Sequence, residues 1–243
     1  MGETMDRGDG LLASKLQNCE KLEIRQGRRG WLQECLCCVT KSSFSYYNGE
    51  KEIAQSKEEF SFLCRCCFAP DHAFDMTVHP VEGGDGFLEI NRPCKICPAP
   101  LKCFCHSEAT IFSGEHDLGE IRETCWWSVP QFKVYDHNEE EVYIIQPPTC
   151  CDGMCVDCFS EGCPCPHGCC IIPCNIYAGH TPVTNSTEPV GRMAKIPKKS
   201  FCDTYNETNY YVVEFPEGAS VNHKGLLAGA SLLINAVYFE NSE

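Results

Sequence analysis

The chain is short of positive charge and holds only one long apolar run, and each shortage excludes something. Lys and Arg number 20 against 34 Asp and Glu, giving a formal charge of −14 and a pI near 5.0. Nucleic-acid binding needs clustered basic side chains on the phosphate backbone, so DNA and RNA are excluded as partners. The same charge opposes adhesion to an anionic bilayer by bulk electrostatics. Membrane contact would need acyl chains, inserted apolar groups or a bridging cation. The glycine-rich stretch Gly83-Gly84-Asp85-Gly86 reads as a turn, because no lysine and no strand-to-helix context follow it. The eight histidines are scattered, and none pairs with a nucleophile in the way covalent catalysis requires.

Targeting signals are equally sparse. The first ten residues, MGETMDRGDG, lack the charged-then-apolar pattern of a secretion signal. Gly2 is placed for myristoylation, but Asp6 stands where that motif wants Ser or Thr. Without a signal, the sequons at Asn185 and Asn206 carry no meaning.

Cysteine is what the chain has in excess, 22 in all. They come in bursts: Cys35, Cys37 and Cys38; Cys64, Cys66 and Cys67; Cys94, Cys97, Cys103 and Cys105; then nine between Cys150 and Cys174. At 243 residues the chain can bury a full core without covalent staples. In a chain read as unsecreted, metal binding, acylation or reduced thiols explain such clusters better than disulfides.

Strand signals recur along the chain. Leu22–Gln26 reads as a first strand and Gly30–Cys38 as a short helix. Phe44–Tyr47 runs into Asn48-Gly49, a strong hairpin turn. Phe74–Val78 alternates, and Phe87–Ile90 resumes after the glycine turn. Phe132–Tyr135 and Val142–Ile145 flank the polar turn Asp136–Glu139. Tyr210–Phe215 is a β-branched, aromatic run stopped by Pro216. Such strands with one helix predict a mainly β fold, a sheet or closed barrel.

The single apolar run, Lys224–Glu240, supplies that helix. From Gly225 to Phe239 only Ser231 and Asn235 are clearly polar, so no face is left for solvent. About fifteen residues span about 22 Å, too short for a hydrocarbon core of about 30 Å. Gly225, Ala228, Gly229 and Ala230 allow surrounding backbone to approach closely. The segment is therefore read as a helix buried in its own domain, not a membrane span. Residues 1–20 are polar apart from Leu11, Leu12 and Leu16, and read as an arm or adaptor for protein partners ahead of a domain at 21–243.

Several short motifs then fall in a recognisable order. Phe215-Pro216, Lys224, Gly229-Ala230, Leu233-Ile234 and Tyr238-Phe239-Glu240 resemble the C-terminal end of phospholipid scramblases. Trp127, Pro130 and Phe132 resemble that family's Trp/Pro/Phe approach to a strand. Gly119-Glu120-Ile121 and Val190-Gly191 match its two Val/Ile-Gly turns, and the groups at Cys94–Cys105 and Cys150–Cys158 lie where it carries Cys-rich loops. The resemblance covers about residues 20–243. It implies a tubby-like fold, a closed β-barrel wrapped around a central hydrophobic C-terminal α-helix. It also implies energy-independent, Ca²⁺-stimulated movement of phospholipids between leaflets at the cytosolic face of a membrane, the plasma membrane first, with palmitate on cysteines and no enzymatic step.

The same resemblance nominates sites. Cys94, Cys97, Cys103 and Cys105 take the acylation position, with Lys95 and Lys102 favourably placed for headgroups. The Ca²⁺ candidates are Asp203, Glu207, Asn209 and Glu214, in a stretch that has lost acidic residues relative to the family; a solvated acidic edge is the plain alternative. From spacing alone, Cys155-x2-Cys158 fits one tetrahedral Zn²⁺, with Cys163, Cys165, His167 and Cys169 able to complete it. Acylated or simply buried thiols remain open for that cluster. The eroded acidic stretch and the negative charge leave a second reading, a non-transporting structural or interaction subunit on the same fold.

Overall fold

The computed structural model describes residues 7–27, 43–59, 73–95, 106–124, 129–151, 153–157, 171–196 and 207–239. Helix α1 (Arg7–Leu16) leads into β1 (Lys21–Gly27), β2 (Ser43–Asn48), β3 (Lys51–Glu59), β4 (Phe74–Pro80) and β5 (Leu88–Arg92). There follow β6 (Glu108–Ser113), β7 (His116–Glu123), β8 (Phe132–Asp136), β9 (Glu141–Gln146), β10 (Thr149–Cys150) and β11 (Cys155–Val156). Strands β12 (Ile172–Ala178), β13 (Gly191–Ile196) and β14 (Glu207–Glu214) precede the helix α2 (Val221–Ile234). Twelve strands close a barrel in the order β1-β14-β13-β12-β9-β8-β7-β6-β5-β4-β3-β2, while β10 and β11 form a separate two-stranded ribbon. Neighbouring barrel strands are antiparallel.

The alternation read from the sequence is the physical origin of the barrel. Along β4 the residues Phe74, Met76 and Val78 are buried and their neighbours face outward, and β5 repeats this with Leu88 and Ile90. Each strand thus offers one apolar face, and closing the sheet turns those faces inward without leaving an edge.

What fills the interior is α2. Ser220 caps it, its Oγ accepting from the His223 N–H at 3.2 Å, and every residue from Lys224 to Ile234 is buried. A helix apolar on all sides needs walls on all sides, and the barrel provides them. Where the helix runs closest to the sheet the small residues do what their size predicts. A methyl group on Gly229 would lie 2.5 Å from Ile111 Cδ1, and one on Gly225 would lie 3.1 Å from Leu118 Cδ1. The helix continues as a π-helical turn, Asn235–Phe239, in which buried Asn235 accepts a hydrogen bond from the Tyr211 hydroxyl. Among the described residues no helix is long and apolar enough to cross a membrane.

Most expected strands are present, and two differences are instructive. Gly119 does not form a turn: it sits inside β7, where the pairing with β6 slips between Ile111 and Phe112. Its φ of +133° and the approach of the Tyr135 carbonyl leave no room for a side chain, so the glycine marks a bulge. Gly191 likewise opens β13 instead of lying in a turn. The expected helix at Gly30–Cys38 and the pair Trp126-Trp127 lie outside the described residues.

Candidate functional site

An antiparallel barrel places alternate connections at alternate ends, and here the two ends differ in kind. At one pole three links are tight, Gly49-Glu50 from β2 to β3, Gly114-Glu115 from β6 to β7 and residues 137–140 from β8 to β9, beside the longer links 81–87 from β4 to β5 and 179–190 from β12 to β13. At the other pole the connections are β1–β2, β3–β4, β5–β6, β7–β8, β9–β12 and β13–β14. Of the 22 cysteines, all but Cys19 and Cys174 fall in these connections or at their margins. No composition argument requires this segregation; it follows from the strand order.

The short-turn pole is sealed. Helix α1 lies across it with Leu12 and Leu16 buried, and the following Cys19 is buried too. Gly8 packs so closely on the β6–β7 turn that a methyl there would meet the Gly114 amide nitrogen at 2.7 Å. Lys15 pairs with Glu82 of the β4–β5 turn at 2.7 Å, and His116 lies 3.4 Å from Asp9. From inside, Lys224 Nζ donates to the carbonyls of Leu16 and Gln17 at 3.1 and 3.0 Å. Burial pushes the Cys19 thiol up to about 11, against the pull of the Lys224 charge. The apolar residues read as an adaptor surface are thus used within the molecule. Gly10, Ser14, Gln17 and Asn18 are what α1 and its exit show to solvent.

At the cysteine-rich pole, buried polar groups tie the end of α2 to the strand ends. Glu123 accepts from the Ser107 N–H at 3.1 Å and from the Tyr238 hydroxyl at 2.7 Å. Tyr238 also stands edge-on to Phe132 at 5.7 Å. Gln131 donates to Gln146 at 2.8 Å. A carboxylate this deeply buried needs such donors. None of these residues has a sequence signal that separates it from an exposed polar strand residue.

The nominated sites map unevenly. Of the acylation set, Cys94 is exposed just past β5, and Cys97, Cys103 and Cys105 lie outside the described residues. Lys95 is tied to Glu108 at 2.6 Å, which ties down the cation otherwise placed for headgroups. Of the Ca²⁺ set, Glu207 opens β14 at the cysteine-rich pole and Glu214 ends it at the sealed pole. Seven strand steps separate them by about 23 Å, so no single ion reaches both. Asn209 lies at the same end of β14 as Glu207, and Asp203 lies outside the described residues. Of the Zn²⁺ set, Cys155 is exposed on β11, and Cys158, Cys163, Cys165, His167 and Cys169 lie outside the described residues. Among the described residues no group of three or more His, Cys, Asp or Glu side chains is placed to hold a metal ion.

A sequence model of the Scramblase family matches residues 17–160. The matched stretch contains nine of the twelve barrel strands, β1 to β9, and the β10–β11 ribbon; β12–β14 and α2 complete the closed fold. Neither the curated proteins nor the solved structures yield a match.

Proposed function

The chain belongs to the scramblase family, and from that premise we propose that it moves phospholipids between membrane leaflets without an energy source or a covalent step. In this reading it rests on the cytosolic face of a membrane, the plasma membrane first, by its cysteine-rich pole. Acyl chains on Cys94, Cys97, Cys103 and Cys105 hold it there. Two or more chains anchor stably where one gives only marginal binding. Ca²⁺ at Asp203, Glu207 and Asn209 modulates the contact. Structural Zn²⁺ takes four of Cys155, Cys158, Cys163, Cys165, His167 and Cys169, a set with ligands to spare.

The observation that carries the reading is that the connections holding all but two of the 22 cysteines leave and re-enter the barrel at one end, while the other end is sealed by α1. Acylation spread around a barrel would bind it in no fixed orientation; acylation at one pole sets it upright. Because α2 fills the interior, lipid passes along the outer surface or through bilayer disturbed beside it.

Reconstitution into vesicles with a labelled phospholipid tests this. Transbilayer movement above that of protein-free vesicles, raised by Ca²⁺, is the expected result. No movement with or without Ca²⁺ refutes it and selects the second reading, a non-transporting structural or interaction subunit. The packed interior favours that alternative specifically, since a barrel plugged by its own helix offers no polar path for a headgroup. Its protein partner would meet the exposed side of α1.

A further inference from the structure

The ribbon of β10 and β11 is outside the barrel and serves no part of its core, yet it is built with care. Cys150 and Cys155 are direct partners across it, with Thr149 opposite Val156. The Asp157 N–H donates to the Pro148 carbonyl at 2.8 Å, which makes Cys150 and Cys155 a hydrogen-bonded pair by alternation. Such pairs have Cα atoms about 5.5 Å apart, within the usual separation for a disulfide, and their side chains share one face of the ribbon. Both are free thiols.

The turn that closes the ribbon is held from a distance. Asn185 Oδ1 accepts from the Gly153 N–H at 3.1 Å and from Thr149 Oγ1 at 3.4 Å. Cys151 and Gly153 adopt positive φ of +52° and +84°, so the chain turns tightly enough to return Cys155 opposite Cys150. The two sulfurs are not equivalent. Cys155 is exposed, whereas Cys150 is half-buried with its Sγ 3.8 Å from the Val156 carbonyl.

We infer that Cys150 and Cys155 form a reversible redox couple, a modification site for low-molecular-weight disulfides such as oxidised glutathione. The Cys155 thiolate attacks one sulfur of the small disulfide, giving a mixed disulfide and releasing one thiol. Cys150 then loses its proton and attacks the Cys155 sulfur, closing the Cys150–Cys155 bond and releasing the second thiol. The protein loses two electrons and two protons, and the small disulfide gains both as two thiols. Adjacent Cys151 hydrogen-bonds the Cys150 thiol, but it lies in the turn opposite Met154, whose N–H its carbonyl accepts at 3.3 Å, so no thiol faces it across the ribbon.

The test is a titration of the full chain in buffers of varied oxidised-to-reduced glutathione ratio, followed by alkylation and peptide mapping by mass spectrometry. A peptide linking Cys150 to Cys155 should appear, saturate and disappear with dithiothreitol. Cys150→Ser should stall at a glutathione adduct on Cys155, Cys155→Ser should abolish the link, and Cys151→Ser should preserve it. Asn185→Ala, which loosens the turn without touching a thiol, should lower the linked fraction at a fixed buffer ratio several-fold. Cys150 and Cys155 both alkylated at every ratio, stoichiometric zinc on Cys155, or a link from either residue chiefly to another cysteine would each overturn the inference.

Discussion

Lys224, in the first turn of the central helix, donates to the carbonyl of Leu16 at 3.1 Å across 208 positions of sequence. The bond joins the two helices through the sealed pole, and a second to Gln17 accompanies it. A buried ammonium is costly unless its protons are taken, and the last carbonyls of α1 are themselves left over by helix geometry. Each group solves the other's problem, and the positive charge sits where the helix dipole of α1 favours it.

Replacing this lysine should therefore unseat the plug. Lys224→Met keeps the length of the side chain and removes its donors, leaving Gln17 without the lysine bond and Leu16 with only the Cys19 N–H at 3.1 Å. A loss of about 2–3 kcal/mol in urea denaturation is expected, the range for charged hydrogen bonds and stranded buried acceptors. Limited proteolysis should cut near residues 7–20 faster than in the parent chain. Unchanged stability and an uncut α1 would mean that Leu12 and Leu16 hold the plug alone.

Two glycines separate backbone clashes from side-chain clashes. At Gly119 a methyl would meet the Tyr135 carbonyl and the Asp136 backbone at a φ of +133°, and neither strand can yield without losing ladder bonds. At Gly229 the methyl meets Ile111 Cδ1, the tip of a side chain that can rotate. Gly119→Ala should cost more than about 2 kcal/mol, as incompatible backbone positions do, and Gly229→Ala clearly less. Equilibrium unfolding of both variants checks the order, which a reversed ranking would contradict.

The sealed pole should also respond to acid. His223 lies against Tyr143, whose hydroxyl is 3.2 Å from Nδ1 with the rings edge-on at 5.5 Å. Burial lowers the His223 pKa from its usual 6.5, and the charge of Asp136 opposes that only in part. Its position in the first turn of α2 disfavours a cation as well. Since the folded pKa lies below the unfolded one, the unfolded chain binds the proton more readily. Stability should be level above pH 6.5 and fall as the pH drops below it. Thermal unfolding of the parent and of His223→Gln between pH 7.5 and about 5 would show it, the variant having the flatter profile.

How much of this was legible in the sequence depended on periodicity. The alternation at Phe74–Val78, the β-branched and aromatic run Tyr210–Phe215 and the Asn48-Gly49 turn are local signals, and the structure has strands and a turn there. The unbroken apolar character of α2, with its small residues, called for an enclosing barrel before any strand order was known. The closed barrel was expected, but which strands pair and which pole each connection reaches were not legible, because strand order is set by pairings between residues far apart in the chain. Lys224 reads locally as the solvated start of a helix, and Glu123 as an exposed strand residue; only the tertiary fold buries them. Gly119 resembled a turn because a bulge and a turn ask the same thing of glycine. The nominated sites fared least well, since one strand carries Glu207 and Glu214 in sequence proximity but delivers them to opposite poles.

That separation makes the Ca²⁺ proposal divisible. Glu214 faces solvent at the sealed pole, opposite Lys21 on β1 and Arg192 on β13 in the strand register. Glu207 and Asn209 open β14 at the end that carries the proposed acyl groups. A hard cation collects several oxygens at about 2.3–2.6 Å, so candidates at one pole cannot be completed by a carboxylate about 23 Å away. Glu214→Gln should therefore leave Ca²⁺ affinity unchanged in isothermal titration, and leave any Ca²⁺ effect on lipid movement unchanged too. Glu207→Gln combined with Asn209→Ala should weaken binding at least tenfold. Equal losses in the two variants would place the ion elsewhere, and an unchanged affinity in both would remove β14 from consideration.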